Sequence, residues 1–142
     1  MKETSFEIIA RMVIIRRGKI LVCRMKGAPY CFLPGGHVEF GEKTEKALKR
    51  EMKEETDVSV KKLCFIGTCE NIFKEGVSFH HELNLVFSGI LQALRISSKE
   101  PHIEFVWKNM RELKKENLLP QKLRSALVRW YKDKKSFWVS SV

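Results

Sequence analysis

Pro34-Gly35-Gly36 breaks a short apolar run, and from Thr44 to Thr56 there follow thirteen residues with neither glycine nor proline. Their Lys, Glu, Leu, Ala and Met content makes a strong helix, and Thr44 stands where an N-cap is wanted. At about 100° per residue, Glu51, Glu54 and Glu55 fall inside an arc of roughly 100°. They are flanked by Ala47, Leu48 and Met52, while Lys46, Lys49 and Lys53 take the opposite side. A helix that merely faces water gains by mixing signs along its wet face. Here the acids share the stripe that must turn inward, so they are expected to be half-buried and crowded. Crowded, partly desolvated carboxylates raise one another's pKa unless a cation sits among them. Oxygen donors of this kind suit Mg²⁺ or Mn²⁺.

The remainder of the chain reads as strands around that helix. Residues 6–15 and 19–25 are β-branched, apolar runs separated by Arg16-Arg17-Gly18, a hairpin pattern. Cys31-Phe32-Leu33 is a short apolar piece, and 58–66, 68–74, 78–91 and 103–107 are strand-like. A closing helix is expected from Pro120, with Leu123, Ala126, Leu127 and Trp130 on its apolar stripe. Mixed strands with few helices imply an α/β (α+β) sandwich, one domain over 1–142.

Charge is distributed unevenly. Of 27 bases and 17 acids, residues 1–26 hold seven and two and residues 108–142 hold ten and three, leaving a slightly acidic centre. Basic ends attract polyanions such as nucleotides or nucleic acid. Cys23, Cys31, Cys64 and Cys69 show no zinc-ligand spacing, so free thiols in a reducing compartment are expected. Arg11 interrupts the apolar run 8–15, which argues for a strand rather than a signal peptide, and no run approaches the ~18 apolar residues of a membrane span. A cytoplasmic protein without a membrane partner is the expectation.

Residues 36–58 resemble the Nudix box of the MutT-like phosphohydrolases. Gly36, Glu42, Arg50, Glu51, Met52, Glu54, Glu55 and Val58 match it at the family's spacing. One position departs: Asp57 replaces a glycine expected to end the helix at φ > 0, a conformation that Asp tolerates. The resemblance implies an α/β/α sandwich with a mixed sheet between helices. It also implies metal-dependent hydrolysis of the diphosphate linkage in a nucleoside diphosphate derivative. By position, Glu51, Glu54, Glu55 and the Gly36 carbonyl would hold Mg²⁺ (or Mn²⁺), with Arg50 and Glu42 supporting them. The general base is a box glutamate such as Glu51, or an outside carboxylate, Glu104 or Glu82. Arg24, Lys26, Gly35 and Phe32 are the substrate-contact candidates. His80, Phe73 and Trp107 are weaker ones, as is His81, which like His80 adjoins Glu82.

The substrate is less constrained. The proline that follows the box in the ADP-ribose subfamily is missing, since no proline lies between 35 and 100. The tyrosine of the dinucleoside polyphosphate subfamily is also missing, the only tyrosines being Tyr30 and Tyr131. The coenzyme A signature upstream of the box is absent as well. The favoured reading is a small nucleotide, a (deoxy)nucleoside triphosphate cleaved to monophosphate and pyrophosphate. The alternatives are the 5′ end of RNA and a non-catalytic nucleotide sensor; oligomeric state is open.

Overall fold

Two β-sheets lie between two helices in a computed structural model that describes residues 3–141. The larger sheet is built from β1 (Glu3–Val13), β4 (Gly35–His37), β5 (Val60–Glu75), β6 (Ser78–Leu91) and β8 (Phe137–Ser140), in the order β4-β1-β6-β5-β8. It is mixed, with β1 parallel to β6, β5 parallel to β8, and the other pairs antiparallel. The smaller antiparallel sheet joins β2 (Ile15–Arg16), β3 (Lys19–Met25) and β7 (Ile103–Asn109) in the order β2-β3-β7. The expected hairpin at residues 16–18 is present, with Arg17 and Gly18 both at positive φ.

Helix α1 (Thr44–Thr56) buries Ala47, Leu48 and Met52 against Ala10, Met12 and Phe87 of the larger sheet. Leu48 and Met52 are fully enclosed, each stabilising the layer by about 1.5–3 kcal/mol. Helix α2 (Gln121–Asp133) covers the opposite face, where Leu123, Ala126, Leu127 and Trp130 meet Val13, Ile66 and Val86. The apolar stripes of both helices are those the sequence indicates.

Four sequence expectations need correction. Thr44 is the first helical residue rather than the cap; Lys43 is the cap and makes no side-chain bond. The turn there is fixed one residue earlier, where the Glu42 carboxylate accepts from the Glu39 N–H. The strands expected at 58–66 and 68–74 are one strand, β5, whose register shifts between Lys61 and Cys64 and again between Phe65 and Gly67. At Gly67 a Cβ would stand 2.5 Å from the Phe137 ring, so the glycine admits β8, an element the sequence reading omits. A 3-10 helix at Met110–Lys115, also unforeseen, is capped by the Asn109 side chain accepting from the Arg111 N–H. Asp57 behaves as expected, ending α1 at φ 62° and donating its N–H to the Lys53 carbonyl. The four cysteines are free thiols. Among the described residues no helix is long and apolar enough to cross a membrane.

Candidate active site

Two adjacent glycines position the site for different reasons. Gly35 has φ +141°, a region essentially reserved for glycine, and a Cβ there would lie 1.9 Å from the Ala10 carbonyl oxygen. It brings β4 close against β1. At Gly36 a Cβ would fall 2.5–2.7 Å from the carboxyl atoms of Glu51. The missing side chain at 36 is therefore the space in which the Glu51 carboxylate sits, facing the strand backbone.

Arg50 organises the acids around it. Its Nε and Nη2 donate to Glu42 at 2.7 and 3.0 Å, a bidentate pair of the strong, directional kind. Nη1 reaches Glu51 at 3.0 Å and Glu54 at 3.3 Å, and Nη2 also donates to the His37 carbonyl at 3.0 Å. The Arg50 guanidinium and the Glu39 N–H together hold the Glu42 carboxyl down to a pKa of about 2. Glu55 is pushed the other way, up to about 7, first by burial and then by the charge and hydrogen bond of Glu51. The crowding expected from the helix stripe is thus found, concentrated in the Glu51–Glu55 contact. Glu54 differs: its side chain is 60% exposed and turned to Arg50. Among the described residues no three acids, histidines or cysteines already converge on one point.

The segment before β7 folds onto the end of α1. The Lys99 N–H donates to the Glu55 carbonyl at 2.8 Å, and its ammonium pairs with Asp57 at 2.8 Å. This brings in Glu100, whose charge adds to the upward pressure on Glu55. Glu100 is a carboxylate that sequence reasoning missed. Glu104, the expected outside base, is instead bound to Arg24 at 2.6 Å across the β3–β7 register. Those two candidates neutralise each other.

A cavity of about 750 Å³, a size suited to a small-molecule ligand, opens against Arg11 of β1. Tyr30, Phe32 and Phe73 supply aromatic walls, Asn71, Glu82 and Arg11 polar ones, and the start of α2 closes one side. Phe32, a substrate-contact candidate, and Glu82, an outside-base candidate, both line the cavity. Lys26 is exposed and outside this lining, with its N–H donating to the His102 carbonyl. Trp107 packs in the α1-side core, with Arg16 5.7 Å from its ring. His80 stacks on Phe73 at 4.8 Å and is hydrogen-bonded to Glu7 at 2.8 Å, while His81 bonds to Glu70 at 2.7 Å. Arg11 went unassigned in the sequence, although a lone charge inside an apolar strand run was its signal.

A profile of the NUDIX domain matches residues 7–131. The chain belongs to the NUDIX family. Members of the family generally use divalent metals. A Methanocaldococcus jannaschii protein named ADP-ribose pyrophosphatase is 45% identical over 58 residues, a stretch covering 39% of this chain and only 34% of that relative. The fold resembles a mutator MutT protein from Bacillus halodurans, with TM-score 0.75, 15% identity, and coverage of 93% of this chain and 86% of that one. It also resembles a MutT protein from Methanosarcina mazei Go1, with TM-score 0.70, 22% identity, and coverage of 94% and 99%.

The donor set fits a hard divalent cation. Glu51 and Glu55 touch through their carboxyl groups, and burial followed by the charge of Glu51 pushes the Glu55 carboxyl up to about 7. Carboxylate oxygens with a strand carbonyl nearby are ligands that Mg²⁺ or Mn²⁺ prefers.

Proposed function

We propose that this chain is a Mg²⁺- or Mn²⁺-dependent hydrolase that cleaves the diphosphate linkage of a nucleoside diphosphate derivative. A nucleoside triphosphate, giving monophosphate and pyrophosphate, is the leading substrate. The observation that carries the reading is the Glu51–Glu55 pair, seated on Gly36 and steadied by Arg50.

Glu51, Glu55 and the Gly36 carbonyl would hold the cation, joined by Glu54 when its exposed side chain turns from Arg50. The bound cation neutralises diphosphate oxygens and makes a water more acidic. Arg50 keeps Glu51 in place through a guanidinium itself fixed by Glu42, so little reorganisation is left for the reaction. Water attacks one phosphorus, the bridging P–O bond breaks, and pyrophosphate leaves with the bonding pair. The water's proton passes to a carboxylate at this end of α1. Glu100 is an outside carboxylate whose charge acts on Glu55, while Glu104 pairs Arg24. The cavity's aromatic side chains accept the base by stacking.

A nucleoside diphosphate sugar is the second reading, favoured by the stretch shared with the M. jannaschii ADP-ribose pyrophosphatase. One experiment separates these readings. Phosphate and pyrophosphate release is measured from nucleoside triphosphates, sugar nucleotides, dinucleotides and 5′-triphosphorylated RNA, with and without Mg²⁺ or Mn²⁺. Glu54→Gln and Glu55→Gln run alongside. Metal-dependent release should fall in both variants by more than the roughly 10–100-fold that loss of a supporting group costs. Near-normal turnover in either overturns the metal-helix assignment. Nucleotide binding without turnover of any substrate makes the chain a sensor.

A further inference from the structure

Arg11 lies in the middle of the larger sheet, on β1 between Val86 of β6 and Gly35 of β4. A charge is costly there unless something offsets it. Its Nε donates to the Asn84 Oδ1 at 3.3 Å and its Nη1 to the Leu33 carbonyl at 3.0 Å, both neutral acceptors. A guanidinium carries five N–H donors. Among the described residues no carboxylate comes within ion-pair distance of it. Burial draws its pKa down, and the opposing charges it feels are Glu82, Cys23, Glu55 and Glu51, in that order. Cys23 offers nothing in practice, since burial keeps its thiol protonated. The open side of Arg11 lines the cavity, where its guanidinium carbon stands 5.9 Å from the Phe32 ring centroid.

This cation has no direct ion-pair partner among the described residues, lines the aromatic cavity together with Glu82, and feels the charges of Glu55 and Glu51 on the acid helix. A ligand with its base among Tyr30, Phe32 and Phe73 would present its nearest phosphate to Arg11, which lines the same cavity. We propose that Arg11 is the binding seat for the phosphate attached to the substrate's nucleoside. The inference rests on the hydrolase reading above and adds the residue that joins its two halves. The ligand supplies a direct ion-pair partner, since Glu82 in the same cavity is bonded to Asn84 and not to Arg11. A bare structural tie to Asn84 and Leu33 needs no full positive charge, and the buried guanidinium is the costlier way to make it. Planar, bidentate recognition of phosphate is what Arg does better than Lys.

The test uses the four ribonucleoside 5′-monophosphates as probes, with EDTA present so that the acid helix contributes no cation. Binding is followed by calorimetry, and kcat and KM are measured separately with the best substrate of the panel. Arg11→Met should weaken monophosphate binding by about 10–100-fold and raise KM similarly, and Arg11→Lys by about tenfold or less. Glu54→Gln should lose turnover yet bind the monophosphate normally. Wild-type affinity and KM in both Arg11 variants overturn the proposal, as does wild-type protein that binds no monophosphate. Wild-type protein that binds the monophosphate through Arg11 but turns over no substrate sinks only the hydrolase reading. A purely structural Arg11 lowers Tm and leaves KM unmoved. Should Arg11→Met fail to fold, Arg11→Lys decides by the same two readouts.

Discussion

Replacing Gly36 with Ala places one methyl group where the carboxylate of Glu51 now lies. The new Cβ would be 2.5 Å from Cδ and 2.6 and 2.7 Å from the two oxygens, whereas ordinary contact begins near 3.4 Å. The carboxylate must therefore retreat by about 1 Å, the scale of misplacement that costs about 100-fold in rate. That corresponds to roughly 2.7 kcal/mol of barrier. Folding should be little affected, because Gly36 is not at positive φ and the obstructing atoms end a flexible side chain. A stability loss of about 1 kcal/mol or less is expected, a few degrees in Tm. Gly35→Ala is the contrasting control. Its Cβ would meet the Ala10 backbone oxygen at 1.9 Å with φ at +141°, so β1 and β4 must separate. Strain and overpacking together should cost about 3 kcal/mol or more. The assay pairs kcat, measured against metal concentration, with Tm for each variant. Gly36→Ala should fold normally and turn over slowly, with a raised metal requirement, whereas Gly35→Ala should be unstable. Normal turnover and metal demand in Gly36→Ala would refute the seating of Glu51 on this glycine.

Glu55→Gln removes a desolvated charge that faces Glu51, so in EDTA at pH 8 it should raise Tm, by about 1 kcal/mol equivalent, while turnover falls. A lower Tm would mean that the pair is not repulsive. Gly67→Ala drives a Cβ into the Phe137 ring and should cost about 1–3 kcal/mol with KM unchanged. The Phe137→Ala background should remove much of that penalty, and full additivity in the double variant would contradict the contact. Glu7, faced by His37, His80 and Ser5, has its carboxyl held near pKa 2 against a usual 4.5, chiefly by its hydrogen bonds to His37 and His80. Its contribution to stability is present above pH 4.5 and is lost as pH falls toward 2. His80, faced by Glu7, Glu75 and Glu82, is raised above 6.5, so its share is full below that value and fades as pH rises through its folded pKa. Glu7→Gln should flatten both limbs in Tm measured from pH 2.5 to 8.5; unchanged limbs would remove the cluster from the account.

The acid helix was legible because its information is local. Ala47, Leu48 and Met52 fix the inward face by helical period alone, and Glu51 and Glu55 must follow them. Asp57 was readable for the same reason, since the end of one helix decides its φ. Where two distant segments meet, the sequence was silent. Gly67 looks like a strand break until Phe137 is seen against it, and the order of β5 and β8 is written in neither segment. Glu104 and Glu100 lie four residues apart in the same stretch, and spacing did not tell which carboxylate approaches the box. The β3–β7 register, which puts Glu104 opposite Arg24, made that choice. Arg11 left a trace as a charge in an apolar run, but its meaning required the cavity it lines and, among the described residues, the absence of a carboxylate at ion-pair distance.

That absence also explains why the site uses two arginines. Had Arg11 closed onto Glu55, both desolvated charges would be neutralised, leaving neither a cation site nor an anion site. Asn84 and the Leu33 carbonyl instead hold Arg11 back with neutral acceptors. The pairing of box carboxylates falls to the more peripheral Arg50, which is fixed by Glu42 and spends only Nη1 on Glu51. An inner acid pair and an inner cation are thus kept apart at the cost of some stability. A metal-bound phosphate chain carries both missing signs, positive toward Glu51 and Glu55 and negative toward Arg11. On this reading, selectivity for a diphosphate joined to a nucleoside follows from that unclosed ion pair, because a free cation or a free phosphate satisfies only half of it.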